Sequence, residues 1–207
     1  MTNGLEKHRA NIQVSRLRPT QLTVGMLEVK RKRRRLRELE KRPGELVAFI
    51  LEVPIRVVLG PAGQAYVIDH HHLALALLKE DFQTAPMEIE ADFSALRGAA
   101  FWKRMRVKKY LHLYNARGNP KPLSALPESL KRLKDDPYRS LAGFVRAAGG
   151  FVKTPAPFAE FLWADYFRVR IDREWMRADF AQAVKTGLRL AARKEAAGLP
   201  GYVGKGR

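Results

Sequence analysis

A chain of 207 residues with 46% hydrophobic content can bury a sizeable core and is too apolar for wholesale disorder. It contains no cysteine, which excludes disulfides, thiolate zinc sites and cysteine nucleophiles together. Lys and Arg number 39 against 21 Asp and Glu, a formal charge of +18; such an excess attracts nucleic acids, nucleotides or acidic lipid headgroups.

The opening Met1-Thr-Asn-Gly-Leu-Glu-Lys lacks the apolar run of a secretory signal. The apolar-rich residues 46–59 are interrupted by Glu52, Pro54 and Arg56, too short and too polar to cross a bilayer. Both readings imply a cytoplasmic protein with no membrane partner. Residues 12–17 alternate apolar and polar side chains as a half-buried strand does, and Pro19 stops it. The chain up to residue 40 then reads mostly as a helix, capped by Thr20 or Thr23. A short apolar helix follows at 45–51. Residues 54–59 and 65–68 are β-rich runs flanking Gly60-Pro-Ala-Gly-Gln, which predicts a hairpin. The second run leads into Asp69-His70-His71-His72 and an apolar helix at 73–78. Residues 86–93 resemble a further strand.

Beyond Ser94 the pattern turns helical. Residues 99–107 form a basic helix, 110–114 fit helix or strand equally, and helices are expected at 126–133, 138–147, 157–169 and 175–197. The tail from residue 198 holds four glycines and is expected to be mobile. The expected architecture is therefore α+β: a small mixed sheet within residues 10–95, a helical region over 96–197, and a flexible tail at 198–207.

Three of the five histidines stand together in Asp69-His70-His71-His72, where a strand ends and a helix exposes unpaired N–H donors and a partial positive charge. An anion such as phosphate is favoured there. His71 and His72 are candidates to bond phosphate oxygens or to move protons near neutral pH. Asp69 could hold a divalent metal, orient a histidine, or only cap the helix. Adjacent histidines point in different directions, so one or two at most reach a common ligand.

A second basic stretch, residues 101–114, interleaves aromatics. Phe101 and Met105 fit a buried stripe, which leaves Lys103, Arg104, Arg106 and Lys108 as a nucleic-acid surface. The basic run at 30–35 is a solvated face or another such patch, with Arg31 and Arg34 as contacts. Asp136-Pro137 reads as an N-cap and first helical residue. Arg139 is a candidate phosphate contact or a partner for Glu160. Glu160 and Asp165 lie on different sides of their helix, so no paired-carboxylate site is expected there.

The strand, Gly-rich turn and Tyr66-Val-Ile-Asp-His-His-His-Leu-Ala-Leu-Ala-Leu resemble the phosphate-binding element of the ParB/sulfiredoxin superfamily. ParB proteins carry a Gly-Glu-Arg/His-Arg box there, sulfiredoxin Gly-Cys-His-Arg, and the free serine kinases Asp-Gly-His-His-Arg. Val14-Ser-Arg-Leu-Arg-Pro-Thr-Gln resembles the strand that opens ParB domains. With Asp136-Pro-Tyr-Arg-Ser-Leu-Ala-Gly-Phe-Val-Arg and Phe158-Ala-Glu-Phe-Leu-Trp-Ala-Asp-Tyr-Phe-Arg, the chain looks most like the ParB-like putative nucleases over residues 12–170. The resemblance implies a ParB/sulfiredoxin-like domain, with phosphate or metal contact for Asp69, His71 and His72. His70 stands where the relatives have glycine, and Leu73 where they have a phosphate-gripping arginine. Another cation, for which Lys32 is the candidate, would have to replace that fork. Glu28 lies where the related kinases place a carboxylate near the nucleotide, so it is a candidate base or metal ligand; an ordinary helix ion pair is the alternative. Sulfiredoxin chemistry is excluded by the missing cysteine.

The leading expectation is a protein that binds a nucleotide or phosphodiester and catalyses metal-assisted phosphoryl or phosphodiester chemistry. Mg²⁺ or Mn²⁺ would sit on Asp69, His70 would join the phosphate contacts, and Glu28, His71 and His72 would assist. Binding of nucleic acid or nucleotide without turnover is the second expectation, and a small-molecule kinase the third.

Overall fold

The computed structural model describes residues 9–204. Residues 1–8, where the absence of a signal was read, and residues 205–207 of the tail lie outside the described residues. The chain divides into two compact units. One comprises the residues up to Leu22, Val29–Leu113 and Lys121–Leu133; the other comprises Thr23–Glu28, Tyr114–Pro120 and the chain from Lys134 onward.

The hairpin predicted from the Gly60 turn is the centre of the first unit. Strands β4 (Ile55–Leu59) and β5 (Ala65–Asp69) pair antiparallel. The turn closes through Gly60 N–H donating to Gln64 O at 2.8 Å and Gly63 N–H to Gly60 O at 3.0 Å. Gly60 is required sterically, since a Cβ there would lie 2.6 Å from the Tyr66 ring. Around the hairpin a five-stranded mixed sheet runs in the order β1-β6-β4-β5-β2. Here β1 is Arg9–Gln13, β2 is Arg18–Pro19 and β6 is Thr84–Asp92. β6 joins β4 in parallel and β1 joins β6 antiparallel, while β2 lies parallel to β5.

The first unit's helices cover what this sheet buries. Helix α1 (Met26–Glu40) continues into the unit from Val29 and sets Val29, Leu36 and Leu39 inward; α2 (Pro43–Glu52) follows it. Helix α3 (His71–Lys79) is apolar almost all round, and Leu73 through Leu77 are buried, as expected for a core helix. Helix α4 (Gly98–Val107) packs Phe101 and Met105 against Val58, with Tyr66 and Trp102 alongside.

In the second unit, β3 (Thr23–Val24) pairs in parallel with β7 (Lys134–Asp135). Helices α5 (Pro137–Ala147), α6 (Ala159–Arg168), α7 (Arg173–Ala178) and α8 (Phe180–Ala191) surround a core with Leu141, Phe151, Trp163 and Phe167 at its centre. Phe151 stacks on Trp163 at 4.3 Å.

The structure departs from the sequence reading at five places. The strand expected over 12–17 is β1, which ends at Gln13, and Val14–Arg16 turn as a 3-10 helix instead. Helix α1 begins at Met26, and neither Thr20 nor Thr23 caps it; Met26 N–H donates to Asp135 Oδ1 at 2.9 Å and Leu27 N–H to Ser140 Oγ at 3.1 Å. That fit depends on Gly25, where a Cβ would stand 2.5 Å from the Ser140 backbone nitrogen. Residues 126–133 are not a helix. Pro127 cannot donate within one, and only single 3-10 turns form at Leu123–Ala125 and Leu130–Arg132. The expected helix over 175–197 breaks at Asp179, whose side chain accepts from Gln182 N–H and starts α8 afresh. The described part of the glycine-rich tail, up to residue 204, is pinned: Trp163 Nε1–H donates to Pro200 O at 2.8 Å, and Val152 N–H to Gly201 O at 2.9 Å. Among the described residues, no helix is long and apolar enough to cross a membrane.

Candidate functional site

Strand β5 ends at Asp69 and α3 begins at His71, so His70 alone makes the turn. It does so in the left-handed region, at φ 66° and ψ 28°, and its side chain does not cap α3. Asp69 Oδ1 accepts the His70 N–H at 2.7 Å. The His70 Nδ1 lies 2.8 Å from Pro54 O. A carbonyl only accepts, so Nδ1 carries a proton, and in the neutral imidazole Nε2 is then the accepting nitrogen. That Nε2 is 3.8 Å from Asp69 Oδ2, and both side chains reach solvent.

The next histidine is placed differently. His71 is 5% exposed, and its Nε2 accepts the Thr20 N–H at 3.2 Å, while the Thr20 hydroxyl donates to Val67 O at 2.6 Å. The imidazole thereby satisfies a backbone donor beside the β2–β5 pairing. His72 lies in the same first turn of α3 and is partly buried. Among the histidines of the box, His70 and not His71 offers a ring nitrogen beside Asp69.

One neighbour escaped the sequence reading. Arg56 is the register partner of Asp69 on β4, with ion pairs to Glu88 at 3.6 Å and to Glu90. Burial works against its charge, but the hydrogen bond and charge of Glu90, then the charges of Asp69 and Glu88, hold its pKa above the ordinary value. Counting back from the hairpin turn would not have found it, because a bulge between Arg56 and Val57 shifts the register by one.

The remaining candidates separate into three groups. On α1, Arg33 and Arg37 both grip Glu80 just past the end of α3, and Arg34 lies 3.9 Å from Glu38. Arg31 and Lys32 are partly buried on the same helix. Lys103, Arg104 and Arg106 of α4 and its C-cap Lys108 are exposed, while Phe101 and Met105 are buried. Glu28 and Arg139 belong to the second unit. Glu28 is 5% exposed, with its Cδ 2.8 Å from where a Cβ on Gly143 would stand. Arg139 is equally buried, lies over the Phe161 ring at 4.1 Å and donates from Nη2 to Glu160 Oε2 at 2.9 Å. Its Nε and Nη1 have no hydrogen-bond partner among the described residues. Asp136 caps α5 by accepting Tyr138 N–H at 3.0 Å. Burial raises its pKa in spite of the nearby Arg168 and Arg139.

Among the described residues, no three His, Asp or Glu side chains come together as a closed metal centre requires. Asp69 with a ligand's phosphate oxygens is a donor set of the kind magnesium and manganese accept; zinc sites need more protein ligands.

A family model described as "Putative ParB-like nuclease" matches residues 10–169. The chain belongs to this ParB-like family. The ParB-like chain is also similar to the crystal structure of protein Atu1540 from Agrobacterium tumefaciens, with 39% identity and a TM-score of 0.88 over 98% of this chain and 100% of that one. No curated protein matches it. Two departures from the box of the ParB/sulfiredoxin relatives now have a structural reading. The glycine of the kinase-type box suits the left-handed turn that His70 occupies here. Leu73, where those boxes carry arginine, is 2% exposed and part of the core.

Proposed function

We propose that this ParB-like protein binds a phosphodiester or nucleotide at the turn between β5 and α3 and hydrolyses or transfers its phosphoryl group. The observation that carries this reading is the pair formed by Asp69 and His70: an imidazole oriented by a backbone carbonyl, with its basic nitrogen beside a solvent-reaching carboxylate at a helix start. A histidine held through Nδ1 is oriented to take a proton on Nε2. In hydrolysis, water loses its proton to His70 Nε2 and its oxygen attacks phosphorus. The bond to the leaving oxygen breaks, and His72 is the candidate to protonate that oxygen. The helix dipole of α3 and the Arg56 guanidinium favour the phosphate's charge. A magnesium or manganese ion held by Asp69 would neutralise more of it. Lys32 remains the candidate cation in place of the arginine that Leu73 replaces. The mechanism asks nothing of Glu28 or Arg139.

A second reading, binding without turnover, is favoured by Leu73, since it removes the bidentate phosphate grip of the relatives. One experiment separates the two. The protein is incubated with plasmid DNA and with nucleoside triphosphates, with and without Mg²⁺ or Mn²⁺, beside His70→Gly and Asp69→Asn. The expected outcome is a metal-dependent product whose rate falls roughly 10²–10⁴-fold in each variant, the range for loss of a general base. Ligand-induced thermal stabilisation without product would establish the second reading, and neither signal under any condition would end both.

A further inference from the structure

At the other end of β5 the first unit holds an open cleft of about 810 Å³. Its wall at β5 is Gln64 and Ala65, four to five residues before Asp69. At about 3.3 Å per strand residue, the cleft and the Asp69 turn are roughly 13 Å or more apart. It is therefore a separate place on the molecule. Three arginines line it, Arg16, Arg18 and Arg132. Among the described residues one carboxylate does, that of Glu128, which is 81% exposed and lies 3.9 Å from Arg18 Nη1.

The lining is preorganised on one side. Arg18 donates from Nη1 to Glu128 O at 2.5 Å and from Nε to Gln64 Oε1 at 3.5 Å; the Gln64 amide in turn donates to Arg16 O at 2.6 Å. Gln64 thus ties the hairpin turn to the segment leading into β2. Arg16 and Arg132 form no ion pair among the described residues, and both side chains are exposed. The remaining polar lining includes Asn11 and Gln13 of β1, whose amides donate and accept. Among the described residues no aromatic side chain lines the cleft, and the apolar lining is Ile12, Ala62, Ala65 and Met87. Pockets for apolar ligands or nucleobases are lined mainly by aromatic and aliphatic surface, whereas polar side chains predominate here.

We infer that this cleft is a second binding site, for a small hydroxylated phosphate ester of the sugar-phosphate kind. The guanidinium groups would take the phosphate and the side-chain amides the hydroxyls. Charge-assisted hydrogen bonds of this type are worth enough that losing one guanidinium weakens binding on the order of tenfold.

The test is calorimetric titration of the full chain with ribose 5-phosphate, inorganic phosphate and ribose. Ribose 5-phosphate is expected to bind saturably, inorganic phosphate on the order of tenfold more weakly and ribose not at all. Arg132→Ala and Arg16→Ala, both at exposed side chains and each checked by circular dichroism, are expected to weaken ribose 5-phosphate by a similar factor. Asp69→Asn is expected to leave that affinity unchanged, which keeps this site distinguishable from the catalytic proposal. Absence of saturable binding would overturn the inference, as would equal affinity for inorganic phosphate or indifference to both arginine variants. Loss of binding in Asp69→Asn would place the ligand at the other site, and stronger competition by oligothymidylate at equal phosphate concentration would replace the small ligand with a polymer.

Discussion

At the level of single residues, His70 and His71 are neighbours with opposite environments, and the difference separates the proposed chemistry from stability. His71 accepts a buried backbone N–H, so His71→Ala leaves that donor without its partner. The expected cost is about 1–3 kcal/mol, read as a lower urea midpoint with an unchanged m-value. His70→Gly removes an imidazole but relieves a left-handed backbone, and the lost bond to Pro54 O offsets the relief. Its stability is expected to stay within about 1 kcal/mol of the native protein. A large loss in His70→Gly with none in His71→Ala would reverse the two roles. From the sequence alone the box could be found, because a strand running into Asp-His-His-His is visible as such. Which histidine faces inward could not be read, since it depends on Thr20, 51 residues away in sequence.

Among the elements, Glu80 joins α1 to the end of α3 by accepting from both Arg33 and Arg37. The hydrogen bond from Arg37, opposed by burial and supported by Arg33, lowers its pKa below the ordinary 4.5. A depressed carboxylate pKa contributes stability above the unfolded-state value and loses it as pH falls through the folded one. Glu80→Gln is therefore expected to lower the urea midpoint at neutral pH and to flatten the profile just below pH 4.5. Asp136 has the opposite sign. Its raised pKa makes protonation favour the fold, so its contribution declines as pH rises from 3.8 towards the folded pKa. An unchanged acid limb in Glu80→Gln would show that the clamp contributes nothing. Elements with local signals were legible: the hairpin from its Gly/Pro turn, α3 from its apolar run, and α5 from Asp136-Pro137. The start of α1 was not, because its first amides are capped by Asp135 and Ser140, more than a hundred residues onward.

For the molecule as a whole, a charge of +18 favours polyanions at many places on the surface, and what matters is which cations remain available. Those of α1 are largely engaged: Arg33 and Arg37 with Glu80, and Arg34 and Arg35 with Glu38. On α4, the inward turn of Phe101 and Met105 leaves Lys103, Arg106 and Lys108 exposed with no acidic partner among the described residues. If that face carries duplex DNA, each phosphate it neutralises adds about 0.9 to the slope of log affinity against log salt. Replacing Lys103 and Arg106 together by glutamate is expected to weaken DNA binding at low salt and to flatten the slope by about 2. Arg34→Glu is expected to do much less, and Asp69→Asn to leave the slope as it was, because that carboxylate lies at the proposed chemical site. Fluorescence anisotropy with a labelled duplex across a salt series measures all four proteins. An unchanged slope in the α4 variant would return nucleic-acid binding to the charge of the whole surface and remove this helix from it.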